Sequence, residues 1–365
     1  MTSKVENKKK INLSITNPKV FDAIKLVIAV LIALAITFVL LLLISNDAVY
    51  GIKTILTGPL QKSRYFGEVL TRTIPYAFAG LGCALIFKSG AFNLGAEGIF
   101  TICGVAIAAV ATTDLSSMAG LHPYLCVLAG MVVGAILATI PAILRAILGV
   151  NEMVSSLMLN SVYSCVSLYI IRNFMLTDTT STIGSKDYLE SAIFGYIYEP
   201  LKITPCLIIL LACMVIVYLI MYKTKLGYQI RLSGTNAQFA EYSGINSVKL
   251  SIKTSMLAGA LFGIGSACQL LTQTTFFQPD KSVAGIGFSG NLLAMLGKNN
   301  PIGVVISSFF IQYLEKGTNV LYFKDQSVPS EIVAIVEGVV ILLISSQYFL
   351  RRFREKKLLK DGLGK

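Results

Sequence analysis

Residues 123–144 read PYLCVLAGMVVGAILATIPAIL, a run without a single charged side chain. A bilayer core of about 30 Å is crossed by about 20 helical residues, each rising about 1.5 Å, so this stretch is long enough to span. Leu26 to Ile44, Met153 to Ile171, Ile203 to Tyr222 and Thr254 to Thr272 meet the same standard. Glu331 to Leu350 meets it apart from Glu331 and Glu337. Four shorter runs, Thr73 to Phe87, Gly98 to Thr112, Ser282 to Gly297 and Pro301 to Leu314, are interrupted by Gly, Pro or Asn. Counted together they predict about ten transmembrane helices in an all-α, polytopic membrane protein. The composition agrees: 55% of the 365 residues are hydrophobic and 14% charged, against roughly 45–50% and about 25% in a soluble domain. That balance excludes a disordered chain and argues against a soluble enzyme.

A net charge of +12 would suit a nucleic-acid binder only on a polar surface, which this chain lacks, so no nucleic-acid partner is expected. The basic residues instead mark sidedness, because cytoplasmic loops carry the Lys and Arg excess. With the N-terminus inside, Lys4, Lys8, Lys9, Lys10, Lys19, Lys25, Lys88, Arg145, Lys298, the loop from Lys223 to Lys253 and the C-terminal tail all fall on the cytoplasmic side. The awkward segment is the outer loop Ser45 to Arg72, which holds Lys53, Lys62, Arg64 and Arg72. The organisation expected is a basic cytoplasmic tail (1–22), a membrane domain (23–350) that includes a cytoplasmic loop (223–253), and a second basic cytoplasmic tail (351–365). Leu26 to Ile44 exceeds a signal-peptide core and no small-x-small site follows, so it reads as a retained span. Without Trp, anchoring at the lipid interface falls to tyrosines such as Tyr50, Tyr124, Tyr218 and Tyr222. Cys83, Cys103, Cys126, Cys165, Cys206, Cys213 and Cys268 lie in apolar stretches without metal or redox spacing, and read as small core hydrophobes.

Two short, Gly-interrupted segments at corresponding places in two halves are the sequence mark of a transport site. The third span opens with Phe92-Asn93-Leu94-Gly95-Ala96-Glu97-Gly98, and the eighth with Gly287-Phe288-Ser289-Gly290-Asn291. Five spans separate them, so one enters from inside and the other from outside, which predicts two inverted-topology repeats with short broken helices. Glycines that merely let helices pack closely are the plainer reading. Glu97 at a helix start suits either a helix cap or a solute path, and Asn93 could cap the same helix. Ser156, Asn160, Tyr163 and Ser164 recur at helical spacing and form a stripe that lipid would not solvate, so it faces a neighbouring helix or a watery path. Asn and Tyr together can bind hydroxyls or a base edge. The expected path residues are Asn93, Glu97, Ser156, Asn160, Tyr163, Ser289 and Asn291, with Gln269 a weaker candidate. Glu337, deep in the last span, needs a partner, a proton or water. Asn151-Glu152 marks the start of the fifth span.

The loop from Lys223 to Lys253 carries its own helix signals. Thr235 or Asn236 can cap it, Ala237 to Tyr242 form its body, and Gly244 suits a left-handed stop. Phe239 and Tyr242 give it an apolar edge facing a protein partner or the membrane interface.

These residues resemble a family. Phe92 to Gly98, Asn151 to Asn160, Gly234-Thr235-Asn236 with Ala240 to Ile245, and Leu296 to Gly303 follow one another as in the permeases of ABC importers, within the branch for nucleosides and simple sugars. Where the pattern usually has Phe-Asp-Gly this chain reads Phe288-Ser289-Gly290, and Glu337 stands where Gln is common, so no acidic role or substrate contact is carried over at those positions. The resemblance implies that the loop helix is a coupling helix, with Asn236, Phe239, Glu241, Tyr242 and Gly244 serving contact with a cytoplasmic ABC ATPase. It also implies a second permease subunit, homo- or heterodimeric, and an external substrate-binding lipoprotein or periplasmic protein. No Gly-x-x-x-x-Gly-Lys-Ser/Thr phosphate loop occurs, so ATP and Mg are expected on the partner ATPase, with no cofactor or metal on this chain. The function expected is import of a nucleoside or related hydroxylated solute across the plasma (inner) membrane, with both termini cytoplasmic. A ribose- or galactose-type sugar or a flavin-like solute is the alternative cargo, and proton-coupled transport through Glu97 or Glu337 the alternative mechanism. The only histidine, His122, has no nucleophile or metal cluster beside it in sequence, which argues against an enzyme.

Overall fold

A computed structural model describes residues 48–114, 120–176 and 183–324, with positions 38, 42 and 338. The spans expected at Leu26 to Ile44 and Glu331 to Leu350, with Glu337, and both basic tails lie outside the described residues, apart from those isolated positions. Chain contacts define two units, Met1–Gln61 with Tyr313–Lys365, and Lys62–Gln312. The described elements are helical, and beyond them only two isolated bridges, Leu176 with Ser185 and Tyr198 with Ile203, pair in extended form.

The larger unit begins with α2 (Ser63–Lys88), following α1 (Ala48–Thr57) of the smaller one. It continues through α3 (Ala96–Ala111), α4 (His122–Leu137), α5 (Thr139–Leu148), α6 (Glu152–Ile170), α7 (Cys206–Lys223), α8 (Lys225–Thr235), α9 (Ala237–Tyr242), α10 (Ser247–Gln273), α11 (Ile286–Leu296) and the first part of α12 (Pro301–Lys324). Among the described residues five segments are long and apolar enough to cross a membrane: α2, α4 with α5, α6 with the π turn that follows it, α7, and α10. α3 and α11 are apolar but shorter.

Several expectations change. Thr73 to Phe87 is not a short span but part of a 26-residue helix that runs through Pro75 and takes in much of the awkward outer loop. Pro301 likewise opens a 24-residue helix. The charged side chains Arg64, Glu68, Arg72, Glu315 and Lys316 ended the apolar runs in sequence without ending the helices. Residues 123–144, conversely, are divided at Ala138 into α4 and α5. The 223–253 loop holds two helices, α8 and α9, and the start of α10.

α4 and α10 meet backbone to backbone. Gly130 and Gly134 lie one turn apart on α4, Gly259 and Gly263 one turn apart on α10, and a Cβ at any of them would collide with a carbonyl of the facing helix. Small residues at such spacing bring helices together where apolar burial offers little drive, because lipid tails are as apolar as leucine. Around this pair Phe78, Phe100, Phe262 and Phe277 are fully buried. α7 turns the other way, exposing Ile208, Leu211, Val215 and Leu219 at the spacing of one helical face. His122, wholly buried at the start of α4, lies 3.0 Å from the Val110 carbonyl and 2.9 Å from Ser191 Oγ. In the smaller unit, α1 packs on the end of α12, where the Tyr313 hydroxyl donates to the Leu56 carbonyl at 2.5 Å.

Candidate functional site

α3 starts at Ala96 because the loop before it is held from several directions. Asn93, 1% exposed, accepts from the Gly95 N–H through Oδ1 at 2.7 Å. That bond closes a turn ahead of the helix, so Asn93 shapes the approach, while Gly95 occupies the cap position without a side-chain bond. From α6, the Ser156 hydroxyl accepts from Leu94 N–H at 3.0 Å and donates to the Met153 carbonyl. Asn160 uses both ends of its amide, donating to the Leu94 carbonyl at 2.9 Å and accepting from Gly98 N–H at 3.0 Å. One turn further, the Tyr163 ring lies against Gly98 and its hydroxyl donates to the Leu137 carbonyl at 3.1 Å. The polar stripe on α6 therefore faces the root of α3, and these groups are engaged with backbone.

α11 starts at the same place from the other direction. Gly285 precedes it with φ of 79°, a left-handed conformation that glycine adopts without penalty. The Glu97 carboxylate accepts from Gly285 N–H at 2.6 Å and from Phe288 N–H at 3.1 Å. Glu97 is thus a helix cap, but for α11 rather than its own helix. The free N–H groups and positive dipole end of a helix favour a carboxylate; here two such ends meet, and a Cβ at Gly287 would overlap the backbone of Ala96 and Glu97. Ser289 N–H bonds the Gly285 carbonyl within this first turn, and Asn291 Nδ2 donates to the Gly287 carbonyl at 3.3 Å. Gln269 holds the approach to α11 by donating to the Ser282 carbonyl at 3.1 Å. The seven residues expected along a path are thereby brought into one neighbourhood, centred on the contact between two helix N-termini.

The junction has an open side. Phe92 and Phe288 are 54% and 55% exposed, with Ala284 and Gly285 exposed beside them, while Ala96 and Ile286 are buried. Neither phenylalanine stood out in sequence, although each sits in the motif that marked its helix.

α9 forms as its local signals predict. Asn236 caps it, Oδ1 accepting from Phe239 N–H at 3.0 Å, and Gly244 ends it with φ of 81°; Thr235 is the last residue of α8 instead. Ala240 is buried, whereas Phe239 is 55% and Tyr242 91% exposed. Behind α9 lies a cleft of about 380 Å³ that Glu241 lines together with Ser89, Arg145, Ser233 and Ser251. Two contacts secure this end of the unit. Gly234 at the end of α8 presses on the Lys88 carbonyl at the end of α2. Arg145 Nη1 pairs with the nearly buried Glu152 at 3.0 Å, closing the corner from α5 to α6, where Gly149 turns left-handed and Asn151 caps the new helix.

Five segments long and apolar enough to cross a bilayer, with irregular backbone and a carboxylate held between two shorter apolar helices, define a multi-pass membrane protein. The chain belongs to the branched-chain amino acid transport system / permease component family, whose description matches residues 65–345. Among its relatives, a guanosine ABC transporter permease protein of Bacillus subtilis is 30% identical, covering 92% of this chain and 96% of the relative. A nucleoside ABC transporter permease protein of Lactococcus lactis is 28% identical over 88% and 90%. A glucose ABC transporter permease protein of Haloferax volcanii is 31% identical over 90% and 88%. No solved structure matches the chain.

Proposed function

We propose that this permease imports a nucleoside, drawing its energy from ATP hydrolysed, with Mg, on a separate cytoplasmic ABC ATPase. The substrate reading is carried by the match to the guanosine permease, which runs through nearly the whole of both chains. A second permease subunit completes the membrane core, and an external binding lipoprotein or periplasmic protein delivers the solute. Both termini lie in the cytoplasm, and so does α9, which places Phe239 and Tyr242 where a groove of the ATPase can receive them. Closure of the ATPases moves α9, the half-helix junction around Asn93, Glu97, Ser156, Asn160, Tyr163, Ser289 and Asn291 is exposed first to one side and then to the other, and the solute passes.

The test is labelled guanosine uptake by cells producing the chain together with the ATPase, second permease and binding protein. Uptake is expected only with the full set. Phe239→Ala combined with Tyr242→Ala is expected to reduce co-purification of the ATPase by roughly tenfold, as loss of aromatic anchors does at interfaces, with membrane abundance unchanged. Uphill accumulation in vesicles holding this chain alone would sink the reading in favour of proton coupling.

A further inference from the structure

The large apolar surfaces at the open side of the junction are two phenylalanine rings, one from each short helix motif, and the question is what they face. Hydrocarbon is excluded by their neighbours. Irregular backbone at Ala284 and Gly285 is exposed beside Phe288, the partly exposed Glu97 carboxylate lies between the two motifs, and Phe92 sits in the non-helical approach to α3. Non-helical backbone and a carboxylate within a membrane protein persist only against protein or in a water-filled space.

The two residues are anchored differently, Phe288 through its backbone and Phe92 through its ring. Phe288 has its N–H held by Glu97 at 3.1 Å. The Phe92 ring is braced on its inner side by Phe87, with centroids 5.0 Å apart and planes 32° apart. An exposed aromatic face beside backbone and carboxylate acceptors is how proteins hold a planar base while leaving hydroxyls to polar groups. Stacking on such a ring tolerates any base, since every base has a π face.

Building on the nucleoside reading, we propose that Phe92 and Phe288 are stacking stations for the nucleobase during passage, and that they set the preference of this permease for solutes with a planar aromatic face.

The experiment measures initial rates of labelled guanosine and uridine uptake by cells carrying the complete transporter with wild-type, F288L, F288Y, F92L or F92Y chains. Leucine keeps apolar bulk but removes the π face; tyrosine restores it. The expected result is a fall of about tenfold in kcat/KM for both nucleosides with either leucine variant, and near-wild-type values with either tyrosine variant, at equal membrane abundance. Leucine variants that transport as well as wild type, or tyrosine variants as deficient as leucine, overturn the stacking proposal while leaving the nucleoside reading in place. A wild-type transporter that takes up neither nucleoside removes the underlying reading, and the proposal with it. Should F288L fail to reach the membrane, F92L decides by the same outcomes, because Phe92 lies in a loop outside any helix.

Discussion

The two short helices differ in how they are rooted. α3 is fixed by its surroundings through Asn93 in its own approach and Ser156 and Asn160 from α6. α11 has no side-chain cap of its own. It hangs between Gly285 and a pair of left-handed non-glycine residues, Lys298 and Asn299, both with φ of 54°, a conformation that costs roughly 1–2 kcal/mol per residue. Its first N–H groups are taken by Glu97 of α3. One helix is thus rooted by side chains of its own approach and of α6, the other by the Glu97 carboxylate at its first turn and by close packing along its length, Gly290 against Ala79 of α2 and Gly287 against Ala96 and Glu97.

Four substitutions test that contrast. Gly287→Leu should have the largest effect, since its side chain has no space against Ala96 and Glu97; a cost of about 3 kcal/mol or more is expected to appear as loss of folded protein from the membrane fraction. Glu97→Ala removes two charge-assisted bonds from a partly exposed carboxylate, together about 1.5–3 kcal/mol. Hydrogen exchange should rise through residues 285–296 and stay unchanged through 100–111, and equal loosening of both helices would contradict the contrast. Asn160→Leu strands a buried N–H and a carbonyl at the root of α3, about 1–3 kcal/mol. Exchange should now rise near residues 94–99 and uptake should fall, whereas normal uptake would return Asn160 to a pure packing role. Ser156→Ala leaves Asn160 in place and is expected to lower the melting temperature in detergent by only a few degrees, from about 1 kcal/mol.

What could be read from sequence was whatever is local. The cap at Asn236, the body of α9 and the stop at Gly244 are written within nine residues, and the start of the fifth span at Asn151-Glu152 within two. The apolar runs marked most spans, but their ends were misjudged where charge or proline interrupts hydropathy without interrupting hydrogen bonding, as in α2 and α12. Glu97 was recognisable as a capping carboxylate; that its partners are Gly285 and Phe288 was not, because the bond joins residues far apart in the chain. The polar stripe on α6 was visible from periodicity, yet hydropathy alone leaves open whether such a stripe meets water or a helix, and the backbone it grips belongs to another segment. The paired glycines of α4 and α10 were not singled out in sequence, because their register against each other exists only in three dimensions.

That register has a mechanical consequence. Where Gly130 and Gly134 rest on Gly259 and Gly263, no side chains intervene to swap rotamers, so sliding by even one residue would drive a larger side chain into a carbonyl. Two helices dovetailed this way behave as one beam, and a beam cannot be the hinge. α4 and α10 are therefore expected to turn as a single body in any motion that transport requires.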